Sequence, residues 1–305
     1  MAIFRKTFAA LAAGLALACM ATAPALAQTV TQPTLEKIKA SGKVVLGVRE
    51  TSPPMAYALG ANEKYVGYHV ELCERVLKEI APDAKLEYMA VTAQNTLPLV
   101  QNGTLDIGCG PTTNNTARQQ QVAFAVTTYV SEVRMAVRKD SDLKSISQLA
   151  GRTIAASTGT TAVQLLRKQE RALGSAPIKT VLGKDHHESF LLLETGRADA
   201  FVLDDNLLAG MIANSKDPSA YRIVGEPLGA EPIALLFRKD DPTFKAAVDG
   251  VLTKLMQSGE MEKIYTKWFV SPIPPKNMSL NLPLGTTLRQ LFATPNDKPL
   301  ETYQQ

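Results

Sequence analysis

The sequence has little of the chemistry that metal sites and catalytic sites need. It holds 3 histidines and 3 cysteines in 305 residues, and no zinc-ligand spacing, nucleophile elbow or phosphate-binding loop occurs. Acid–base catalysis needs a titratable group aimed into a cleft, and only His69, His186 and His187 offer an imidazole. The sequence therefore predicts no metal and no cofactor, and it favours binding over catalysis.

A strong charge of one sign and a long apolar run are also lacking. The formal net charge of +4 includes Arg5 and Lys6, and without residues 1–27 it falls to +2. This balance gives no indication of a nucleic-acid partner or of an anionic membrane surface. The one long apolar run, residues 8–20, is shorter than the roughly 20 residues that span a bilayer.

The N-terminus has the pattern of an export signal. Arg5 and Lys6 precede the apolar run, and Ala25-Leu26-Ala27 provides a small-residue cleavage site before Gln28. We expect a signal peptide at residues 1–27 and a mature protein in the periplasm; a retained membrane anchor is the alternative. The mature chain would have 278 residues, enough for two lobes of about 100–150 residues each.

Cysteine usage fits an oxidising compartment. Cys19 would leave with the signal, so that Cys73 and Cys109 remain. An even pair of cysteines in an exported chain could form a disulfide, although two separate buried thiols are the alternative.

Strand-like apolar runs alternate with helical patterns along the mature chain. This βαβ order predicts an α/β fold with mainly parallel sheets flanked by helices. The pattern starts again near residue 131, and the chain then returns, so we expect lobe 1 at residues 28–130, lobe 2 at 131–230 and a return to lobe 1 at 231–305. Strands are expected at 43–48, 85–91, 105–109, 134–138, 153–156, 179–182, 200–203 and 232–238. Helices are expected at 70–80, 96–102, 162–173, 188–195, 242–258 and 261–269, with an extended tail from Ser271.

Polar residues follow two of the expected strands. Residues 111–118 come after the strand that ends at Cys109, and the turn 157–161 follows another strand and opens a helix. Arg118 offers a planar fork for a carboxylate, Thr112 and Thr113 add hydroxyls, and a helix N-terminus favours anions. Ligands of open α/β sheets lie beyond such strand ends. The alternative is that these are ordinary helix caps and that Arg118 is a solvated surface residue.

A carboxylate follows a third strand. Asp204 ends the expected strand 200–203, where it could bind an ammonium group. If Arg118 binds an anion and Asp204 a cation nearby, the complementary small molecule is an α-amino acid. Alternatively, Asp204 and Asp205 cap a helix that begins near Asn206.

From Leu35 to its end, the chain resembles the periplasmic amino-acid-binding proteins of ABC transporters, most closely the glutamate/aspartate-binding branch. The resemblance lies in LEKIKASGKVVLGVRE, QNGTLDIGCGPTTNN with a following Arg, STGTT, KDHHESF, LETGRADAFVLDD and WFVSPIPPKNMSLN. It implies two lobes joined by two hinge strands, with a cleft that closes on one amino acid. It also implies a monomer that delivers the ligand to a membrane permease.

The resemblance also assigns roles to residues. It implies that Arg118, Thr113 and Thr161 bind the α-carboxylate, with Thr160 in the same turn, and that Asp204 and the carbonyl of Pro111 bind the α-amino group. Groups around the ligand side chain would be Arg49, Ser52, Thr96 and His186. Three positions depart from the branch, because Pro111 and Ala93 replace serines and Thr96 replaces an arginine.

These departures affect specificity. A second ligand carboxylate in a closed cleft needs charge compensation, so losing an arginine predicts weaker binding of acidic ligands or a shift towards glutamine or asparagine. A protonated His186 could offset part of the loss. Arg49 could instead pair with Glu50 or another acid at the rim of the cleft, and His186 could be a surface residue beside His187. The alternatives to transport are a dehydratase or lyase on the same fold, and a ligand-sensing partner of a receptor.

Overall fold

The computed structural model describes residues 32–60, 64–174 and 176–303. Its strands are β1 (Lys43–Val48), β2 (Thr51–Ser52), β3 (Ala56–Leu59), β4 (Lys64–Val66), β5 (Lys85–Ala90), β6 (Ile107–Thr113), β7 (Val122–Phe124), β8 (Tyr129–Arg138), β9 (Thr153–Ser157), β10 (Lys179–Gly183), β11 (Ala200–Asp204) and β12 (Tyr221–Arg238). The expected signal peptide and its cleavage site lie outside the described residues. Within the described part of the chain, no helix is long and apolar enough to cross a membrane.

The α-helices flank these strands. They are α1 (Thr34–Ser41), α2 (Tyr68–Ile80), α3 (Thr96–Gln101), α4 (Thr116–Gln119), α5 (Thr161–Leu173), α6 (His186–Glu194), α7 (Asp205–Asn214), α8 (Pro242–Gln257), α9 (Glu260–Tyr265) and α10 (Thr286–Ala293). Short 3₁₀-helices occupy Ile146–Leu149, Pro218–Ala220 and Leu300–Thr302, and a π-helix at Thr266–Val270 follows α9.

One mixed sheet of nine strands runs through the described residues, and a small antiparallel sheet holds β2, β3 and β4. The order in the large sheet is β10-β9-β11-β8-β12-β6-β1-β5, with β7 also paired to β12. At both ends of this sheet, neighbouring strands pair in parallel, as expected, because helices connect them. The expectation of a mainly parallel sheet is wrong at the centre, where β12 pairs antiparallel with β6, β7 and β8.

The two central strands are longer than the sequence predicts. β8 begins at Tyr129 instead of residue 134, and β12 begins at Tyr221 instead of 232. Glycines, prolines and charged residues interrupt the apolar pattern of β12. The first part of this strand is only half-buried, so it has no continuous apolar run from which a strand could be predicted. The expected lobe boundaries at 130/131 and 230/231 fall within these two strands.

Strand β6 carries the first part of the candidate site. The sequence predicts an end at Cys109, but the strand continues to Thr113, so Pro111, Thr112 and Thr113 are strand residues and not a turn. Pro111 is tolerated because the pairing with β12 shifts register between Ala234 and Leu236 and leaves this position without a ladder partner. The strand therefore extends the polar side chains to the edge of the site.

A disulfide ties β6 to helix α2. Cys73 lies in the middle of α2 and Cys109 in β6, and their sulfur atoms are bonded. Helix α2 buries seven side chains against the sheet, so the covalent link sits inside the core. The disulfide anchors the strand just before its polar residues.

The tail is not wholly extended as expected. Helix α10 forms within it, and Leu288, Leu291 and Phe292 are buried at the i, i+3, i+4 spacing of an amphipathic helix. In the sequence, the apolar spacing of this helix covers only one turn and a half and follows a Pro-rich segment, so the helix was not predicted.

Candidate functional site

Six chain segments meet at one small cavity. Three of them are the end of β6 with α4, the start of α5, and the end of β11 with α7. The other three are the loop after β1, the loop between β5 and α3, and the start of α6. The cavity has a volume of about 20 Å³, room for about one water molecule. Its lining residues are Arg49, Ala93, Pro111, Thr112, Thr113, Arg118, Thr160, Thr161, His186, Asp204 and Leu207.

Arg118 lies in α4, whose N-cap is Asn115. The Asn115 side chain accepts a hydrogen bond from the backbone N–H of Arg118, and the Arg118 side chain is thereby held beside the cavity. Its Nη1 donates to the carbonyl of Thr113 at 3.0 Å and its Nη2 to the carbonyl of Gly159 at 3.3 Å. Burial lowers the pKa of Arg118, while Glu231 and Asp204 oppose that shift. The guanidinium is thus fixed by two carbonyls from separate segments.

Asp204 ends β11 and precedes α7. Its side chain makes no capping bond to α7; instead Oδ1 accepts a hydrogen bond from the Ser131 hydroxyl of β8. The neighbouring Asp205 is the first residue of α7, and its Oδ1 accepts from the N–H groups of Asn206 and of Glu132 in β8. Burial, followed by the charge of Glu231, raises the pKa of Asp204 to about 7. A cation placed here would favour its ionised form.

Arg49 and His186 lie together in a second buried corner of the cavity, and its positive charge comes from Arg49. Arg49 is 5% exposed, its Nε has no hydrogen-bond partner, and no carboxylate in the described part of the chain forms an ion pair with it. The expected alternative pair with Glu50 is therefore not present. Burial and the nearby Arg118 lower the pKa of Arg49 to about 9. A buried cation without an anionic partner is costly, so this corner would favour an anion.

His186 is buried and not a surface residue. Its Nδ1 lies 2.8 Å from the Ser157 hydroxyl, which also contacts the hydroxyl of Ser189. Burial and the charge of Arg49 lower the pKa of His186 to about 3, so the ring is neutral at pH 7. The hypothesis that a protonated His186 compensates a lost arginine is not supported.

A second small cavity adjoins the first. It shares Arg49, Ala93 and His186 with it, and it is also lined by Thr51, Ser52, Val91, Thr92, Ser157, Lys184 and Asp185. The Ser52 hydroxyl is buried and has no hydrogen-bond partner among the described residues, and the same holds for the Thr112 hydroxyl in the first cavity. Unpartnered buried polar atoms are uncommon and mark places where a ligand could bind.

The predicted site residues do not all come together. Thr96 lines neither cavity: it begins α3, it is buried, and its hydroxyl donates to the carbonyl of Thr92 at 2.6 Å. The remaining predicted residues line one cavity or both, namely Arg49, Ser52, Pro111, Thr113, Arg118, Thr160, Thr161, His186 and Asp204. Within the described part of the chain, no group of three or more His, Cys, Asp or Glu side chains could hold a metal ion.

Sequence reasoning missed Glu231. This residue of β12 is buried, and its Oε2 accepts hydrogen bonds from the hydroxyls of Thr113 at 2.5 Å and Thr161 at 2.9 Å. Burial raises its pKa, while the two threonines and Arg118 oppose the shift. The signal was an isolated acid directly before the apolar run 232–237, since an acid at the start of a buried strand requires partners.

Residues 44–271 match the family model of the bacterial extracellular solute-binding proteins, family 3. The chain belongs to this family. The resemblance noted in the sequence is thereby confirmed. The protein is a solute-binding protein that functions in transport, and it is not an enzyme.

Relatives with curated functions match nearly the whole chain. It is 41% identical over 298 residues to the glutamate/aspartate import solute-binding protein of Escherichia coli (strain K12), covering 95% of each chain. It is 40% identical over 292 residues to the L-glutamate/L-aspartate-binding protein of Pseudomonas aeruginosa, covering 93% of this chain and 95% of the relative.

Solved structures agree with the fold. The cysteine-binding protein from Campylobacter jejuni is similar with a TM-score of 0.70 and 28% identity, covering 78% of this chain and 93% of that protein. The expected α/β fold of the periplasmic-binding-protein type is therefore confirmed.

Proposed function

We propose that this protein captures glutamate or aspartate in the cavity between β6, α5 and β11 and delivers it to the membrane permease of an ABC importer. The observation that carries this proposal is that Arg118 and Asp204 line the same cavity. Arg118 would bind the α-carboxylate together with free N–H groups at the start of α5, and Asp204 with the Pro111 carbonyl would bind the α-ammonium. The names of the relatives support this ligand class.

The buried positive charge of Arg49 supports an acidic ligand over a neutral one. Arg49 is buried without a carboxylate partner in the described part of the chain, and the unpartnered Ser52 hydroxyl lines the adjoining cavity. A ligand side-chain carboxylate would neutralise Arg49 and use this hydroxyl. We therefore favour glutamate and aspartate, despite the Thr96 departure, over glutamine and asparagine.

Binding would proceed by closure of two lobes, with boundaries near residues 130 and 230 inside β8 and β12. The Arg118–Gly159 hydrogen bond and the Thr113 and Thr161 hydroxyls, 3.5 Å apart, join segments that these boundaries assign to different lobes. A cavity of about 20 Å³ does not admit an amino acid, so these segments would separate for entry and close around the ligand. The ligand would shift the population to the closed state because it contacts both sides.

We also propose that residues 1–27 are a signal peptide and that the mature protein acts as a monomer in the periplasm. The Arg5-Lys6 start, the apolar run and the Ala-Leu-Ala site support export. The Cys73–Cys109 disulfide fits an oxidising compartment.

A calorimetric panel of the common amino acids with the mature protein tests the proposed function. We expect the tightest binding for glutamate and aspartate and weaker binding for glutamine and asparagine. The ligand recovered from the complex should be chemically unchanged. Tightest binding of a neutral amino acid would overturn the acidic specificity, and no binding of any amino acid would overturn the function.

A further inference from the structure

Glu231 holds a position that neither the sequence motifs nor the likeness to relatives explains. It lies in β12 and is 1% exposed, and one of its oxygens accepts two hydroxyl hydrogen bonds. The two donors come from different segments: Thr113 ends β6 and Thr161 begins α5. Both threonines line the cavity, whereas Glu231 lies behind them.

The direction in which each threonine hydroxyl points its hydrogen determines what it can bind in the cavity. A threonine hydroxyl has one hydrogen to donate and two lone pairs to accept with. Both hydroxyls lie within hydrogen-bond distance of Glu231 Oε2, at 2.5 Å for Thr113 and 2.9 Å for Thr161, and 3.5 Å from each other. An ionised Glu231, which the two threonines and Arg118 favour against the effect of burial on its pKa, can only accept, so the single hydrogen of each hydroxyl is used within this group. Towards the cavity, therefore, both hydroxyls can only accept hydrogen bonds.

We propose that Glu231 is a positioning residue of the amino-acid site, which orients the Thr113 and Thr161 hydroxyls as acceptors for the ligand's α-ammonium group. This proposal rests on the proposed function. It changes the role that the family resemblance assigned to the two hydroxyls, because a carboxylate would meet only their lone pairs. The α-carboxylate then depends on Arg118 and on the N–H groups at the start of α5.

The surrounding charges agree with this arrangement. Asp204 lines the same cavity, and its charge and that of Glu231 act on each other. Two carboxylates near one point repel each other unless a cation lies between or beside them. An ammonium group that donates hydrogen bonds to Asp204 and to the two hydroxyl oxygens would relieve this repulsion and favour the ionised form of Glu231.

The variant Glu231→Gln tests the proposal. Its amide has the same shape, but it removes the negative charge and can donate a hydrogen to a threonine, which frees that hydroxyl to donate towards the cavity. The dissociation constants of L-glutamate and of glutarate, which lacks the ammonium group, are measured by direct and competition calorimetry. We expect glutamate affinity to fall about tenfold or more, with glutarate affinity changed less than about threefold or increased.

The control is Glu226→Gln, the same substitution at an exposed position of the same strand, where the carboxylate contacts only Ser145 among the described residues. It should leave both constants unchanged. Equal loss of glutamate and glutarate affinity in Glu231→Gln would show a purely structural role and overturn the proposal, as would no change in either.

A second variant keeps the test valid if Glu231→Gln fails to fold. Thr161→Val removes one acceptor while keeping the shape of the side chain. It should weaken glutamate more than glutarate, and an equal or larger loss for glutarate would contradict the proposal. If the unaltered protein binds no amino acid, the proposed function itself fails; if it binds glutamate but the two variants do not discriminate, only the role of Glu231 is wrong.

Discussion

At the scale of single residues, buried charges that meet at one cavity define the candidate site. Arg118 and Asp204 were both found from the sequence, because each follows a strand and each offers the chemistry for one pole of an amino acid. Glu231 was not found, because its partners come from two distant segments. Burial of an acid can be suspected from the sequence, but its hydrogen-bond partners cannot be read without the fold.

Arg118→Ala tests the carboxylate pole. Loss of the guanidinium would leave a buried ligand carboxylate uncompensated, so we expect amino-acid affinity to fall on the order of 100-fold or more. Calorimetry gives the affinity, and circular dichroism should show an intact fold. Arg171→Ala, an exposed position in the last turn of α5, is the matched control and should bind normally. Unchanged affinity in Arg118→Ala would remove this residue from the site.

The pKa of Asp204 predicts a pH dependence of binding. Without ligand the pKa is about 7, and a bound ammonium would lower it by favouring the ionised form. Below pH 7 a proton must then be lost on binding, so affinity should rise as pH increases from 5.5 to about 7 and level off above it. His69 and His186, with pKa values of about 4 and 3, do not titrate in this window.

Calorimetry between pH 5.5 and 8 in two buffers of different ionisation enthalpy measures both the affinity and the released proton. Asp204→Asn should bind weakly and without this pH dependence. Asp205→Asn is the control, because burial raises the pKa of Asp205 to about 6 but its carboxylate accepts from the N–H groups of Glu132 and Asn206 and does not line the cavity. Loss of the pH dependence in Asp205→Asn, with retention in Asp204→Asn, would reverse the assignment.

At the scale of elements, the hydrophobic patterns located most helices and the short parallel strands. β1 spans Lys43–Val48 as expected, and α5 and α8 differ from expectation by one residue at an end. The patterns failed where tertiary pairing decides the structure. β8 and β12 extend because each is the other's partner, and β6 continues through Pro111 because a register shift in β12 accommodates it.

The disulfide gives an element-level prediction. Cys73 and Cys109 are 36 residues apart, and closing a loop of this length removes chain entropy worth about 3–4 kcal/mol from the unfolded state. Cys73→Ser/Cys109→Ser should therefore lower the free energy of unfolding by about this amount in urea titrations. Ligand affinity at 25 °C should change little, since neither cysteine lines the cavities. A large loss of affinity with unchanged stability would mean that the disulfide sets the geometry of β6 instead.

At the scale of the whole molecule, we expect ligand binding to need the close approach of the turn at Gly159 to residues 93–94. Gly159, with φ +81°, lies against residues 93–94, and a Cβ there would meet the Gln94 Cα at 2.6 Å. Any larger residue must push these segments apart. The sequence showed a glycine in a polar turn, but it could not show what the glycine packs against.

Gly159→Ala should lower ligand affinity about tenfold or more, because the added methyl group opposes closure. Gly174→Ala is the matched control: its φ of +56° imposes similar backbone strain, but, chain neighbours aside, no atom of the described residues lies within 4 Å of the added Cβ. Small-angle scattering should show compaction with ligand in Gly174→Ala and reduced compaction in Gly159→Ala. Equal affinities in the two variants would mean that this contact plays no part in closure.

The binding of both poles of the ligand in this cavity can be tested by a crystal structure of the mature protein with L-glutamate. We expect the α-carboxylate on the Arg118 guanidinium, the ammonium group beside Asp204 with the Thr113 and Thr161 hydroxyls as acceptors, and the side-chain carboxylate near Arg49. A ligand held elsewhere, or one whose ammonium and α-carboxylate are exchanged between these groups, would contradict this expectation.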